Sequence, residues 1–211
     1  MTGRIWDLSP PIHPGIAVWP GDTAFSQRFL CRIDAGANLD LSTIETTVHL
    51  GAHADAPRHY GAGAEGIAAR PLGPYLGRCE LMHVQIERGE RILPRHLPAA
   101  PRAPRLLLRT GTFPDPERWN EDFAALSPEL VHHLADQGVE LVGIDTPSVD
   151  LMHDKALLSH NALLARNISV LEGLVLDGPP PGLYTLVALP LALVHADASP
   201  VRAILVEGAI S

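Results

Sequence analysis

The chain has 211 residues, 46% of them hydrophobic, and 24 acidic against 16 basic residues give a formal net charge of −8. This length and apolar fraction fit one globular domain over residues 1–211, because chains usually divide only well above about 200 residues. The acidic balance, with no run of Lys or Arg, argues against nucleic acid or an anionic membrane as the main partner.

Strand-like apolar runs alternate with a few helical stretches along the chain. Twenty prolines and 18 glycines favour short strands and loops over a helical bundle. After a proline-rich loop over residues 10–15, we predict strands over residues 79–86, 105–109, 141–144, 168–171 and 202–206.

Two helices are predicted between these strands. Ser127 is a suitable N-cap for a helix that begins at Pro128 and ends before Gly138, and a shorter helix over residues 155–166 ends near Asn167. Residues 93–104 are predicted to form an exposed connection. The element order predicts an α/β domain with a mixed sheet.

The N-terminus and the cysteines favour a soluble, cytoplasmic protein. The first residues, MTGRIWDLSPP, contain no apolar stretch of the kind found in signal peptides. The longest apolar run, residues 183–194, is interrupted by Pro190 and is too short for a bilayer span of about 20 helical residues. Cys31 and Cys79 are too few for a disulfide framework, so we expect two packed, reduced thiols.

Potential metal ligands occupy alternate positions of the segment 49–59, which reads HLGAHADAPRH. In an extended chain, His49, His53, Asp55 and His59 would project from one face while small apolar residues pack on the other. Imidazole and carboxylate together suit zinc, and also manganese or iron. The segment therefore predicts a metal site.

A straight strand would not bring these ligands together. At about 3.3 Å per residue, His49 and His53 would stand roughly 13 Å apart, whereas each zinc ligand lies about 2.0–2.1 Å from its ion. The chain must therefore bend, and Gly51 stands where the bend is needed. Pro57 predicts that the strand ladder stops before His59.

The remaining ligands cannot be chosen from composition, because many other histidines and acids are available. His132 and His133 are adjacent on a predicted helix and are expected to be solvated. His160 and Glu172 flank the passage from the second helix to the next strand, and each taken alone is also compatible with a structural role.

The motif HxGxHxDxPxH resembles that of the metal-dependent cyclase-like hydrolases, and within them the arylformamidases. Further matching stretches run the length of the chain: IWDLSPP at 5–11, VWPGDT at 18–23, GIDTPSVD at 143–150, and HNALL at 160–164 followed by Glu172. The resemblance implies an α/β fold, with a mixed sheet or barrel of the swivelling β/β/α type and a few flanking helices. It also implies a homodimer.

The resemblance further implies a site with two metal ions, usually zinc, with manganese or another divalent metal as an alternative. The residues that match the family's metal-binding positions are His49, His53, Asp55, His160 and Glu172. Among them, Asp55 and Glu172 match the bridging carboxylates. His59 matches the general acid/base, and Trp19 matches an aromatic residue that contacts the substrate.

The implied reaction is hydrolysis of N-formylkynurenine to kynurenine and formate, a step of tryptophan degradation. Hydrolysis of a cyclic amide such as isatin and a non-catalytic metal-binding role remain alternatives. Two positions depart from the family pattern: Ala52 stands where Thr is common, and Arg58 replaces an apolar residue, which bears on substrate fit. With ten aromatic residues in the chain, we do not expect a large aromatic pocket. Residues 145–148 either line the site or form a turn.

Overall fold

A mixed nine-stranded sheet forms the centre of the structure, a computed structural model that describes residues 3–208. The strands are β1 (Ile5–Asp7), β2 (Ser26–Cys31), β3 (Leu41–Glu45), β4 (His53–Asp55), β5 (Leu76–His83), β6 (Arg91–Ile92), β7 (Arg105–Arg109), β8 (Ala125–Leu126), β9 (Leu141–Ile144), β10 (Ser169–Glu172), β11 (Gly182–Val187), β12 (Ala198–Pro200) and β13 (Ile204–Val206).

The helices are short. The α-helices are α1 (Pro128–Asp136) and α2 (Leu158–Arg166), and single 3-10 turns occur at Ile33–Ala35, Pro57–His59, Ile67–Ala69, Gly73–Tyr75 and Pro94–His96. No helix of the described residues has the length and apolar character needed to cross a membrane.

Four parallel strands stand in the middle of the sheet in the order β5-β7-β9-β10. Antiparallel strands continue the sheet on both sides: β11, β13 and β1 beyond β5, and β4 and β12 beyond β10. Helix α1 lies between β7 and β9 in the chain and α2 between β9 and β10, because parallel neighbours need long crossover connections. The pairs β2–β3 and β6–β8 lie outside this sheet.

The side chains of the central strands alternate between two cores, one on each face of the sheet. On β7, Leu106 and Leu108 belong to the core that contains residues of α1 and α2, whereas Leu107 belongs to the other. All three are fully buried, and burying one leucine stabilises the fold by about 1.5–3 kcal/mol. Strands with two buried faces are apolar throughout, which is why the sequence identifies them.

The α/β class with a mixed sheet is confirmed, and the predicted elements differ from the observed ones mainly at their ends. Strands β7 and β9 match their predicted bounds, while β10 extends to Glu172. The Ser127 hydroxyl accepts a hydrogen bond from the Leu130 amide at 3.0 Å, so the predicted N-cap of α1 is confirmed. Asn167 ends α2 in the left-handed conformation.

The hairpin β2–β3 was not predicted, because its strands have no buried face. Every residue of both strands is exposed except the half-buried Cys31. Cys31 and the buried Cys79 are free thiols, as expected. The connection over residues 93–104 is only partly exposed: five of its twelve residues are exposed, six are half-buried and Ala103 is buried.

Candidate metal centre

Strands β4 and β10 place three acid or imidazole side chains on one face of the sheet. His53 and Asp55 alternate along the chain with Ala52, Ala54 and Ala56, which pack into the core on the opposite face. In the antiparallel pairing of β4 with β10, Glu172 stands directly opposite His53, which brings their Cβ atoms within about 4.5–5.5 Å. His53, Asp55 and Glu172 are only 2–3% exposed.

A left-handed turn at Gly51 returns the chain so that His49 joins this group. Gly51 has φ +54°, and the ring centroids of His49 and His53 lie 5.1 Å apart, far closer than a straight strand allows. The turn packs against Gly173, at φ +65°, where a Cβ atom would lie 2.2 Å from the Gly51 carbonyl oxygen. The predicted bend is therefore confirmed, and both turn positions require glycine.

Helix α2 covers the same face and supplies His160. Its Nε2 lies 3.4 Å from Asp55 Oδ2 and 3.5 Å from Glu172 Oε1. On the other side, His53 Nε2 lies 3.6 Å from Asp55 Oδ1 and 3.2 Å from Glu172 Oε2. Each carboxylate thus stands between the same two imidazoles, with one oxygen turned towards each. His49 Nδ1 lies 3.0 Å from Asp55 Oδ1.

The second nitrogen of each histidine is held by a hydrogen bond outside this group. His160 Nδ1 pairs with Asp150 Oδ2 at 2.8 Å, His53 Nδ1 with the Gly51 carbonyl oxygen at 2.9 Å, and His49 Nε2 with Asp197 Oδ2 at 3.1 Å. An imidazole that donates from one nitrogen presents a lone pair on the other. Partners of this kind orient metal-binding histidines in proteins.

The inward atoms of the group have the character of metal ligands. The Nε2 atoms of His53 and His160 and both oxygens of Asp55 are buried and form no hydrogen bond. Leaving such atoms unpaired costs about 1–3 kcal/mol each. Among residues 3–208, no lysine or arginine forms an ion pair with Asp55 or Glu172. Imidazole nitrogens and shared carboxylates therefore fit divalent metal ions.

The two carboxylates and the imidazoles of His49 and His160 shift each other's pKa values. Burial opposes ionisation of Asp55, but the neighbouring imidazoles of His160 and His49 hold its pKa well below the ordinary value. The pKa of Glu172 is also lowered, against burial and the charge of Asp55, by His160 and His53. Burial would lower the pKa of His49, yet Asp55 and Asp197 raise it to about 9.

His59 stands at the rim of the group and not inside it. The 3-10 turn Pro57–His59 follows β4 directly, so the strand stops at the predicted place. The His59 ring centroid lies 4.2 Å from that of His49 and 5.8 Å from that of His160. Its side chain is 34% exposed, and its Nδ1 lies 3.3 Å from Asp197 Oδ2.

A cavity of about 280 Å³ opens onto the imidazoles and is bounded by an aromatic wall. Trp19, Phe113 and Trp119 line it. The ring centroids of Trp19 and Trp119 lie 5.2 Å apart, and those of Phe113 and Trp119 lie 5.6 Å apart, both in edge-to-face contact. This volume is close to the lower end for small-molecule sites, roughly 300–1,000 Å³. The aromatic side chains thus form one wall of a small cavity and not a large aromatic pocket.

The segment 145–148 both lines the cavity and anchors a neighbouring loop. Asp145, Pro147 and Ser148 are lining residues. The Asp145 carboxylate accepts hydrogen bonds from the amides of Thr110 and Gly111 at 2.8–2.9 Å. Burial raises the pKa of Asp145 against these bonds. Its contacts tie the end of β9 to the loop that leads to Phe113.

Six of the seven site residues expected from the sequence line this cavity, and the seventh, Asp55, lies beside His49 and His160. The sequence did not identify several of their partners. Asp150 lies within the GIDTPSVD stretch, which matches the family pattern but gave no indication of what Asp150 does. The sequence gave no indication of Phe113, Trp119 or Asp197, because nothing in their local sequence distinguishes them. Of the two histidines expected to be solvated, His132 is exposed and His133 is half-buried.

The chain is similar to known proteins over nearly its whole length. A family model described as putative cyclase matches residues 6–151, more than half the chain. The kynurenine formamidase of Bordetella avium (strain 197N) is 48% identical over 206 residues, which are 97% of this chain and 98% of that protein.

Solved structures share the fold. One described as a potential metal-dependent hydrolase with cyclase activity has a TM-score of 0.84 at 26% identity, over 99% of this chain and 100% of that chain. An isatin hydrolase bound to the product analogue thioisatinate has a TM-score of 0.81 at 16% identity, over 98% of this chain and 93% of that chain. The second likeness is one of fold alone.

The metal-free protein is predicted to lose stability as the pH rises from 6.5 towards 9. The pKa of His49 is raised from 6.5 to about 9 in the folded chain. The stabilisation from its protonated form is complete below 6.5 and is lost as the pH approaches the folded value. Thermal melts of chelator-treated protein across this range measure the effect.

The variant His49→Gln is the control, because it should remove this part of the pH dependence. A chelated wild-type chain whose melting temperature follows that of His49→Gln at every pH would contradict the prediction. Zinc-loaded protein should not show the loss, since the metal replaces the protons.

Proposed function

The chain belongs to the putative cyclase family, and within it to the kynurenine formamidases, and from this membership we propose that it hydrolyses N-formylkynurenine to kynurenine and formate. One structural observation carries the proposal. Buried imidazole nitrogens and both Asp55 oxygens converge without hydrogen-bond partners beside a small cavity with an aromatic wall. A metal centre next to an aryl-binding surface suits an aryl formamide.

We assign two divalent metal ions, zinc in the first instance, to the five converging residues. His49, His53 and Asp55 would hold one ion and His160 the other, with Asp55 and Glu172 shared. The placement of each carboxylate between His53 and His160 supports the sharing. Ions held there would supply Lewis acidity and a water whose pKa is lowered from 15.7 to about 7.

His59 is suited to move the proton that the reaction requires. The leaving group is an arylamine, which departs poorly as an anion, so its nitrogen must be protonated. His59 stands at the rim with solvent access, next to His49 and His160. In this position it can accept a proton from the attacking water and pass it to the leaving nitrogen.

The aromatic wall is suited to hold the aryl ring of the substrate. Trp19 already contacts Trp119 edge to face, and aromatic pairs of this kind contribute about 0.5–1.5 kcal/mol beyond their buried area. Holding the ring against this wall would direct the formyl group towards the imidazoles across the cavity. Formyl is the smallest acyl group, in keeping with the small volume.

Turnover of N-formylkynurenine is the first test. We expect formate and kynurenine to be released by the zinc-loaded protein, to cease after chelation, and to return when zinc is added. Both products are measured, and the chelator-treated sample with magnesium added serves as a control. If the loaded protein does not turn over N-formylkynurenine but opens isatin, the cyclic-amide alternative replaces the proposal.

The variant His59→Ala is expected to keep its metal and lose about 10²–10⁴-fold in kcat, the usual range for general acid–base catalysis. Metal content by elemental analysis and steady-state kinetics measure the two effects separately. His53→Ala is the matched comparison, because it should lose metal as well as activity. Unchanged turnover in His59→Ala, or metal loss equal to that of His53→Ala, would contradict the assignment.

The hairpin β2–β3 supports a homodimer as the working form. Phe29, Leu41 and Ile44 are 43–59% exposed there, and exposed apolar patches mark interfaces. An isolated two-stranded hairpin is only marginally stable in water. We propose that a second copy of the chain covers these side chains.

Charged substitutions in this hairpin should therefore dissociate the dimer. The double variant Phe29→Glu with Ile44→Glu is expected to elute as a monomer in size-exclusion chromatography with light scattering. Leu72→Glu is the control, because Leu72 is 54% exposed and lies outside the hairpin. A monomeric wild-type chain, or a double variant that remains dimeric, would refute the proposed interface.

A further inference from the structure

One carboxylate oxygen joins the rim of the site to its interior. Asp197 Oδ2 lies 3.3 Å from His59 Nδ1 and 3.1 Å from His49 Nε2. Asp197 lies between β11 and β12, far from both histidines in sequence, and its side chain is 45% exposed. The contact is thus a product of the fold and not of local sequence.

The backbone holds Asp197 in a defined place beside β4. The Ala56 amide donates to the Asp197 carbonyl oxygen at 2.8 Å, and the next residue, Ala198, begins β12 opposite Asp55. The Ile67 amide donates to the Ala196 carbonyl oxygen at 2.9 Å. The backbone of Asp197 is therefore held beside the strand that carries Asp55, which places the Asp197 carboxylate within reach of His59.

We propose that Asp197 is the positioning residue for His59 in the reaction proposed above, on which this inference rests. When the N–H group at His59 Nδ1 donates a hydrogen bond to Asp197, Nε2 keeps its lone pair and can accept a proton. Nε2 takes the proton from the attacking water and returns it to the leaving nitrogen. Asp197 keeps its negative charge throughout and stabilises the imidazolium that forms between the two transfers.

A direct metal ligand is the competing role for Asp197. His49, His59 and Asp197 each offer one atom within 4.8 Å of the others. Asp197 Oδ2, however, already pairs with His49 Nε2 and with His59 Nδ1, whereas both Asp55 oxygens are buried and form no hydrogen bond. The carboxylate oxygens that lack a partner and could bind a cation therefore belong to Asp55 and not to Asp197.

A double-mutant cycle between Asp197 and His59 tests the proposal. Asp197→Ala is expected to lower kcat about ten- to a hundredfold, as loss of an orienting partner does, with KM and metal content little changed. Asp197→Asn should lose less, because its amide oxygen can still accept from Nδ1. In a His59→Ala background, Asp197→Ala should have no further effect. Asp136→Ala removes an exposed acid elsewhere and should match the wild type.

The same kinetic data can overturn the inference. An equal loss from Asp197→Ala in both backgrounds would mean that Asp197 does not act through His59. A fall in metal content in Asp197→Ala would make it a ligand or a support of His49 instead. Either result rejects the positioning role.

A readout without turnover separates this inference from the proposed function. Nitrogen-15 NMR of the imidazoles at alkaline pH, assigned against His59→Ala, reports which His59 nitrogen carries the proton. We expect Nδ1–H in the wild type and a shift towards Nε2–H in Asp197→Ala. Nε2–H in the wild type would overturn the inference. Nδ1–H in a chain that fails to hydrolyse N-formylkynurenine would uphold the pair and reject the proposed function.

Discussion

Two buried carboxylates on neighbouring strands are the constraint on which the rest of the site depends. Asp55 and Glu172 lie on one face of the sheet, are only 2–3% exposed, and have His53 and His160 between them. Like charges removed from water require compensating positive charge close by. Imidazoles can meet that need with protons or by sharing a metal ion, and the neighbouring imidazoles lower the pKa of both acids against the effect of burial.

The interior and the rim of the site are held by different kinds of structure. The register of β4 with β10 and the packing of α2 on the sheet fix the inner residues, because regular elements leave little freedom to a buried side chain. His49 and His59 stand on turns that flank β4, so they are placed by Gly51 and Pro57. This division suits the proposed function, in which His53, Asp55, His160 and Glu172 stay fixed while His59 exchanges protons with substrate and water.

The aromatic wall results from two loops that meet across the cavity. The Ala17 amide donates to the Pro116 carbonyl oxygen at 2.9 Å, and His13 pairs with Glu117 at 2.9 Å. These contacts bring Trp19 and Trp119 together, although neither loop contains regular secondary structure along the wall. The size and shape of the cavity are therefore set by tertiary contacts between loops.

The sequence by itself determined the local geometry of the ligand segment. The strand period of two aligns His53 with Asp55, the absence of a Cβ atom permits the turn at Gly51, and the missing amide hydrogen of Pro57 ends the ladder. Family resemblance, and no local pattern, singled out His160 and Glu172. Only the tertiary structure decided which distant partners complete the site, namely Phe113, Trp119, Asp150 and Asp197. The reason is that strand order and the packing of two faces determine which loops meet, and no short-range periodicity encodes either of them.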